Sequence, residues 1–221
     1  ISVNEGDGFV TVGITLAAPV TADVSVPLLL VGENPDLVVA DEHGRLGEVL
    51  IPAGESVASL SFPIIDDLLS EDDETIRLQL GMPGGYASLD PSRSTMDVQV
   101  LDDEPLPKVS FVKGYQQVEE SVGQILVTAR ISEVAGRDVV VPIEVLGTAE
   151  VNLDYSPVNA SIIVPEGQTT GSVAIDVIDD NLGEPNESIV IKMDESEQAM
   201  LSEDPSQPIE YLLVVSTSDT P

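Results

Sequence analysis

The sequence has no cysteine, no tryptophan, a single histidine, and 8 basic residues against 40 acidic ones in a chain of 221. Each scarcity excludes something. Without cysteine there is no disulfide framework, no thiolate metal site and no Cys–His nucleophile, and the redox compartment leaves no trace. The one histidine, His43, stands beside Asp41, Glu42 and Gly44. It reads as an exposed loop residue, which leaves Ser–His catalysis without support. Carboxylate pairs can do acid–base chemistry, but nothing marks a substrate pocket beside them; the chain reads as a non-enzyme. A net charge of -32 argues against nucleic acid and anionic membrane surfaces, which need a basic patch. Apolar runs such as Leu28 to Val31 are far too short for membrane insertion. No signal peptide opens the sequence, and it begins with Ile, so it reads as a piece of something longer.

Aromatics make up only 3% of the residues, so a core must be built from Val, Ile and Leu. Hydrophobic residues reach 42%, which excludes disorder, since disorder needs low hydrophobicity as well as charge. The hydrophobic period is two. Phe9–Leu16, Ala22–Val26, Val57–Phe62, Thr75–Leu80, Met96–Val100, Gln124–Ala129, Gly171–Val177 and Ile189–Met193 alternate apolar and polar between Gly, Pro, Asn and Asp. Half-buried strands of this kind predict an all-β fold of antiparallel sandwich type. One short helical turn is expected over Ser196–Leu201.

The sequence also repeats itself. Ile51-Pro-Ala-Gly-Glu55 matches Val164-Pro-Glu-Gly-Gln168, Ile65-Asp-Asp67 matches Ile178-Asp-Asp180, and Glu71-Asp-Asp-Glu74 matches Glu184-Pro-Asn-Glu187, each at an offset of 113. Val3-Asn-Glu5 matches Val118-Glu-Glu120 at 115. A period of that size is a whole domain. The expected architecture is two tandem immunoglobulin-like β-sandwiches, residues 1–105 and 106–221, joined at the acidic, proline-stiffened Asp102-Asp-Glu-Pro-Leu-Pro-Lys108. The second copy has Val109–Tyr115 ahead of its Val-Glu-Glu, and the first has only Ile1-Ser2 ahead of its Val-Asn-Glu. The first copy is therefore expected to start midway through its first strand, with further modules upstream.

Carboxylates cluster in the expected turns between these strands: six of the nine residues from Asp66 to Glu74 are acidic, and Asp102-Asp-Glu104 closes the last strand of the first copy. Loops at one end of a sandwich lie close together. If Glu5, Asp41, the Asp66–Glu74 loop and Asp102–Glu104 share an end, they form a cup of oxygens suited to calcium, which takes six to eight oxygen ligands at about 2.3–2.6 Å. No EF-hand loop is present. The order Val-x-Glu, Pro-x-Gly hairpin, Ile-Asp-Asp-x(3)-Glu-x(2)-Glu, strand-Asp-Asp-Glu resembles the Calx-β domain, and Gly147-Thr-Ala149 followed by Asp154-Tyr155 adds to the likeness. The resemblance implies Ca2+ as the ligand. It implies Glu5, Asp41, Asp66, Asp67, Glu71, Glu74, Asp102 and Asp103 as metal ligands in the first copy, with Asp72, Asp73 and Glu104 supplementary or solvated. In the second it implies Glu120, Asp154, Asp179, Asp180, Glu184 and Glu187. There the closing Val-Leu-Asp-Asp-Glu is replaced by Val214-Val-Ser-Thr-Ser-Asp219, so fewer ions, weaker binding or none is expected.

The leading expectation is a calcium-binding structural or adhesive pair in a large extracellular or cell-surface protein, with calcium stiffening the linker between neighbouring modules. Homophilic or glycan partners are open to such a module. Asn159-Ala-Ser161 and Asn186-Glu-Ser188 are glycosylation sequons. The alternatives are an intracellular calcium sensor of sodium–calcium exchanger type, or a passive acidic stalk from a halophilic or marine microbe.

Overall fold

Strand formation follows the alternation. In the computed structural model, residues 1–32, 38–180 and 183–217 are described, and the chain divides into two units, Ile1–Leu68 with Asp72–Asp103, and Leu69–Glu71 with Glu104–Pro221.

Among the described residues the first unit has seven strands: β1 (Ser2–Asn4), β2 (Phe9–Thr15), β3 (Val24–Val31), β4 (Arg45–Ile51), β5 (Val57–Pro63), β6 (Glu74–Leu80) and β7 (Thr95–Leu101). One sheet has the order β1-β7-β6-β3-β4; the other is the pair β2-β5. Along β2, Val10, Val12 and Ile14 are buried while Phe9, Thr11, Gly13 and Thr15 face out. Each such buried Val or Ile contributes about 1.5–3 kcal/mol over its exposed state. The core falls into two clusters, one around Phe62, Ile76 and Val98, the other around Ile14, Val24 and Ile51.

Among the described residues the second unit has nine strands: β8 (Lys108–Phe111), β9 (Tyr115–Glu119), β10 (Gln124–Ile131), β11 (Val139–Gly147), β12 (Ser161–Val164), β13 (Thr170–Asp176), β14 (Glu187–Met193), β15 (Met200–Leu201) and β16 (Glu210–Ser216). Its sheets have the orders β12-β11-β14-β16-β9 and β13-β10-β8-β15. Both units are thus β-sandwiches, with one refinement to the antiparallel expectation. The short strand before each Glu-bearing turn runs parallel to the last strand of its unit, β1 on β7 and β9 on β16. In the second unit the chain reaches β9 by leaving the β8 sheet through Gly114. A side chain there would meet Pro208, its Cβ 2.9 Å from the proline Cβ.

The helical turn expected at Ser196–Leu201 does not form. Ser196 Oγ donates to Val140 O at 2.7 Å and accepts the Gln198 N–H at 3.1 Å. A serine bonded in this way diverts the backbone from helix. Met200 and Leu201 instead pair in parallel with Lys108 and Val109. The end of that stretch serves a two-residue strand.

The second core is one continuous cluster with Phe111, Ile162, Ile191 and Leu213 fully enclosed. Ile191, at 0% exposure on the central β14, has no room to relax. Ile191→Val is expected to cost about 0.5–1.5 kcal/mol in chemical denaturation, through loss of one methyl and the void it leaves.

Candidate metal centre

In both units a single 3-10 turn follows the short parallel strand and carries the first carboxylate inward. The turns are Glu5–Asp7 and Glu120–Val122, and Glu5 and Glu120 are buried at 6% and 8% exposure. Burying a carboxylate is costly unless charge or hydrogen bonds compensate it. The Asp67 N–H donates to Glu5 Oε1 at 3.2 Å, which brings the Asp66-Asp67 loop to this turn.

In the first unit a Glu5 carboxylate oxygen lies within 4.8 Å of one from Asp102, and an Asp66 oxygen within 4.8 Å of one from Asp103. The Gly6 N–H donates to Asp103 Oδ1 at 3.0 Å. A Cβ on residue 6 would stand 2.6 Å from Asp103 Oδ2, so glycine is what lets the closing aspartate approach. The Asp102 N–H donates to Asp73 Oδ1 at 3.3 Å, giving Asp73 a part in holding the strand end. Glu74 opens β6 opposite Val100, directly before this acidic strand end.

Two expected ligands of the first copy stand apart. Glu71 belongs to the second unit, where the Arg137 guanidinium donates to its carbonyl oxygen. Asp41 is exposed, and its Oδ1 accepts the His43 and Arg45 N–H groups at 2.8 and 2.9 Å. Those two bonds, that of Arg45 first, hold its carboxyl below the usual carboxylate value of 3.8. A lowered folded value means stability that is complete above 3.8 and is lost as pH falls through the lowered one. Asp41→Ala is therefore expected to flatten the acid limb of the stability–pH curve below about pH 4, read by denaturant titration at several pH values. His43 is exposed beside Glu42, as expected of a loop residue.

The second unit gathers a set of its own. Asp154, Glu184 and Glu187 each place a carboxylate oxygen within 4.8 Å of the others. With Glu120 and Asp180 they line one small cleft, closed by Ile178, Pro185 and Val215. Asp154 is positioned by its neighbour. Tyr155 is buried in the core and bridges Val177, and the Glu150 N–H donates to Asp154 Oδ2 at 2.5 Å. Asp179 is exposed and outside the cleft wall. Thr217 and Ser218 stand where the first copy has Asp102 and Asp103, and Ser218 and Asp219 lie outside the described residues. The cleft forms from the other loops, a fuller assembly than the substitution at the strand end suggests.

Electrostatics mark the same place. Partial burial, then the hydrogen bond and charge of Asp154, then the charges of Glu184 and Glu150, push the Glu187 carboxyl up to about 7. Glu150 was not among the expected ligands; its signal was its place four residues before Asp154. Crowded oxygens of one sign fit a hard dication: calcium prefers carboxylates, accepts irregular geometry, and reverses the sign of their mutual interaction. The donor set contains no sulfur or imidazole, which argues against zinc or copper.

The Calx-beta domain model matches twice, over residues 1–104 and 102–211. Adhesion G-protein coupled receptor V1 of Danio rerio is 36% identical over 98 residues, which is 44% of this chain and 2% of that protein. The chain therefore spans a very small part of that curated relative. Among solved structures, CBD12 from CALX1.2 is similar at 17% identity and a TM-score of 0.43, covering 97% of this chain and 95% of that one. The apo-form Calx CBD1 domain is similar at 22% identity and a TM-score of 0.46, covering 52% of this chain and all (100%) of that one. Two matches that together cover nearly the whole sequence establish that the chain belongs to the Calx-beta domain family, as two tandem copies.

Proposed function

We propose that the chain is a pair of calcium-binding modules with a structural role in a large cell-surface or extracellular protein, with the module boundary near residues 105 and 106. The observation that carries the reading is the second unit's cleft, where Glu120, Asp154, Asp180, Glu184 and Glu187 converge and burial and acidic neighbours push the Glu187 carboxyl up to about 7. In the first unit, Glu5, Asp66, Asp67, Asp102 and Asp103 are the corresponding ligands. Glu74 and Asp41 would join them only by local rearrangement.

Calcium would act as the counter-charge that lets these loops close. Asp102 and Asp103 end β7 immediately before Glu104-Pro105. Capturing them would fix the start of the connecting segment. A stiffened tandem array is useful in a protein under tension or spacing constraints. The adhesion-receptor relative supports the extracellular side of this reading, as do the exposed sequon residues Asn159 and Asn186. No helix among the described residues is long and apolar enough to cross a membrane.

Calorimetric titration with calcium tests the assignment. Dissociation constants in the range of about 10–1000 µM fit an extracellular module bathed in millimolar calcium. A submicromolar constant would instead favour an intracellular sensor, and no heat of binding at millimolar calcium would leave only an acidic stalk.

A further inference from the structure

Beside the acidic cleft of the second unit, two hydroxyl residues join the strand that carries Glu187 to the loop that carries Asp154. The β11–β14 ladder ends with Gly147 opposite Ile189. Beyond it the Thr148 and Ala149 N–H groups both donate to Ser188 O, at 3.0 and 3.1 Å. The return bond comes to a side chain: the Ser188 N–H donates to Thr148 Oγ1 at 2.9 Å. The two hydroxyl oxygens stand 3.2 Å apart, and the Thr148 N–H reaches Ser188 Oγ at 3.3 Å. A Cβ on residue 147 would collide with Ser188 O, so glycine is what lets the loop lie this close.

Each side of this clasp leads to a carboxylate. Glu187 directly precedes Ser188. On the other side Ala149 packs against the core, and Glu150 after it fixes Asp154 twice. The Glu150 N–H donates to Asp154 Oδ2, and its carbonyl accepts the Asp154 N–H at 2.9 Å. The path from Asp154 through Glu150, Thr148 and Ser188 to Glu187 closes on itself, because the Asp154 and Glu187 carboxylates each place an oxygen within 4.8 Å of the other. Those carboxylates repel when no cation lies between them. Thr148 and Ser188 carry no charge, so they hold the two sides together without adding to the repulsion. The first copy differs in sequence here. At the offset of 115 that aligns Gly147 with Gly32, Thr148 corresponds to Glu33, which offers no hydroxyl and lies outside the described residues. That is also the copy in which Asp41, the counterpart of Asp154, is tied to its own turn.

We infer that Thr148 and Ser188 are the positioning pair of this cleft, and that the Thr148 hydroxyl sets its affinity for a divalent cation. The inference rests on the calcium reading given above. Calcium needs its oxygens at about 2.3–2.6 Å. Ligands already held near that arrangement lose less freedom when the ion binds. Neighbours that orient metal ligands in this way are worth about 10–100-fold in affinity.

The test titrates the full chain with calcium and follows the backbone amide resonances of Asp154, Glu184 and Glu187, which report the second unit's site. Thr148→Val keeps the side-chain shape and removes the hydroxyl; Thr148→Ser restores the hydroxyl. Ser188 is left unchanged, because it also completes the Asn186-Glu-Ser188 sequon. The dissociation constant is expected to weaken about 10–100-fold in Thr148→Val and to stay within about threefold of wild type in Thr148→Ser. The Glu5 and Asp67 amides of the first unit are expected to titrate as in wild type in both. Equal affinity in wild type and Thr148→Val would overturn the assignment. So would equal weakening by both substitutions, since the hydroxyl would then not be the cause. A Thr148→Val chain whose second unit is unfolded without calcium, while Thr148→Ser is folded, would make the pair a folding element and overturn its positioning role. Wild-type resonances that do not respond to calcium would end the calcium reading itself, and this inference with it.

Discussion

Calcium is expected to raise the thermal midpoint of the calcium-free protein by about 10–20 °C once free calcium exceeds the dissociation constant about a hundredfold. The size follows from linkage. An ion that binds only the folded state adds about 2.7 kcal/mol per site at that excess. In a domain of about 100 residues, each kcal/mol moves the midpoint by about 4–8 °C. The structural reason is that each unit holds clustered carboxylates at one set of loops: Glu5 with Asp102, Asp66 with Asp103, and the group Asp154, Glu184 and Glu187. Two unit charges about 4 Å apart interact by about 4 kcal/mol at the effective dielectric of a protein surface. Folding without a cation sustains that repulsion, and a dication removes it. Sodium at equal ionic strength screens but does not coordinate, so it is expected to give a small fraction of the shift. Equal shifts from sodium and calcium would favour a general salt requirement.

Glu187→Gln is expected to act with opposite signs in the two states: it stabilises the calcium-free second unit at pH 8 and weakens its calcium binding. The wild-type Glu187 carboxyl is raised from 4.5 to about 7 in the folded state. The folded protein therefore holds that proton more tightly than the unfolded chain does. The stabilising contribution of the proton is complete below 4.5 and is lost as pH rises through about 7. Calcium-free wild type should accordingly unfold more easily at pH 8 than at pH 5.5, as far as this group governs. Glutamine keeps the shape and the hydrogen bond to Asp154 but never acquires the charge, so the decline should flatten. Calcium must displace the proton to use the carboxylate, so wild-type affinity should climb between pH 6 and 8 and that of the variant should not. Denaturant unfolding and calcium titrations at both pH values read all of these outcomes. A variant with unchanged affinity and an unchanged pH profile would remove Glu187 from the site.

The sandwich architecture was largely legible because its physical signal is local. Alternation over Phe9–Leu16 or Gly171–Val177 tells which side chains face in, and Val10, Val12, Val173 and Ile175 are buried as that alternation requires. The parallel pairing of β1 and β9 was not legible, since pairing direction is set by where the chain crosses between sheets, as at Gly114, and not by residue pattern. Met200-Leu201 misled for a related reason: two apolar residues acquire strand character only because β8 lies beside them.

For the site, the repeated acidic motifs located the loops, and the structure separates their members. Asp154 and Asp41 occupy matching positions, yet Asp154 is presented to a carboxylate group while Asp41 is tied to its own turn by the His43 and Arg45 amides. The difference lies in the adjoining residues. Tyr155 anchors Asp154 to the core, whereas Glu42 and His43 after Asp41 stay exposed. The role of Gly6 was legible in principle: it succeeds Glu5 where Ser121 succeeds Glu120, and the closing acid is Asp103 in one copy and a serine, Ser218, in the other.

The central claim is tested most directly by counting bound calcium per chain in equilibrium dialysis at about 1 mM free calcium, the extracellular range. Wild type should be compared with a variant carrying Asp154→Asn, Glu184→Gln and Glu187→Gln. The expected result is specific binding by wild type, with the variant losing the second unit's share and retaining the first unit's. Wild type that binds no calcium at this concentration, or a variant that binds as much as wild type, would contradict the assignment.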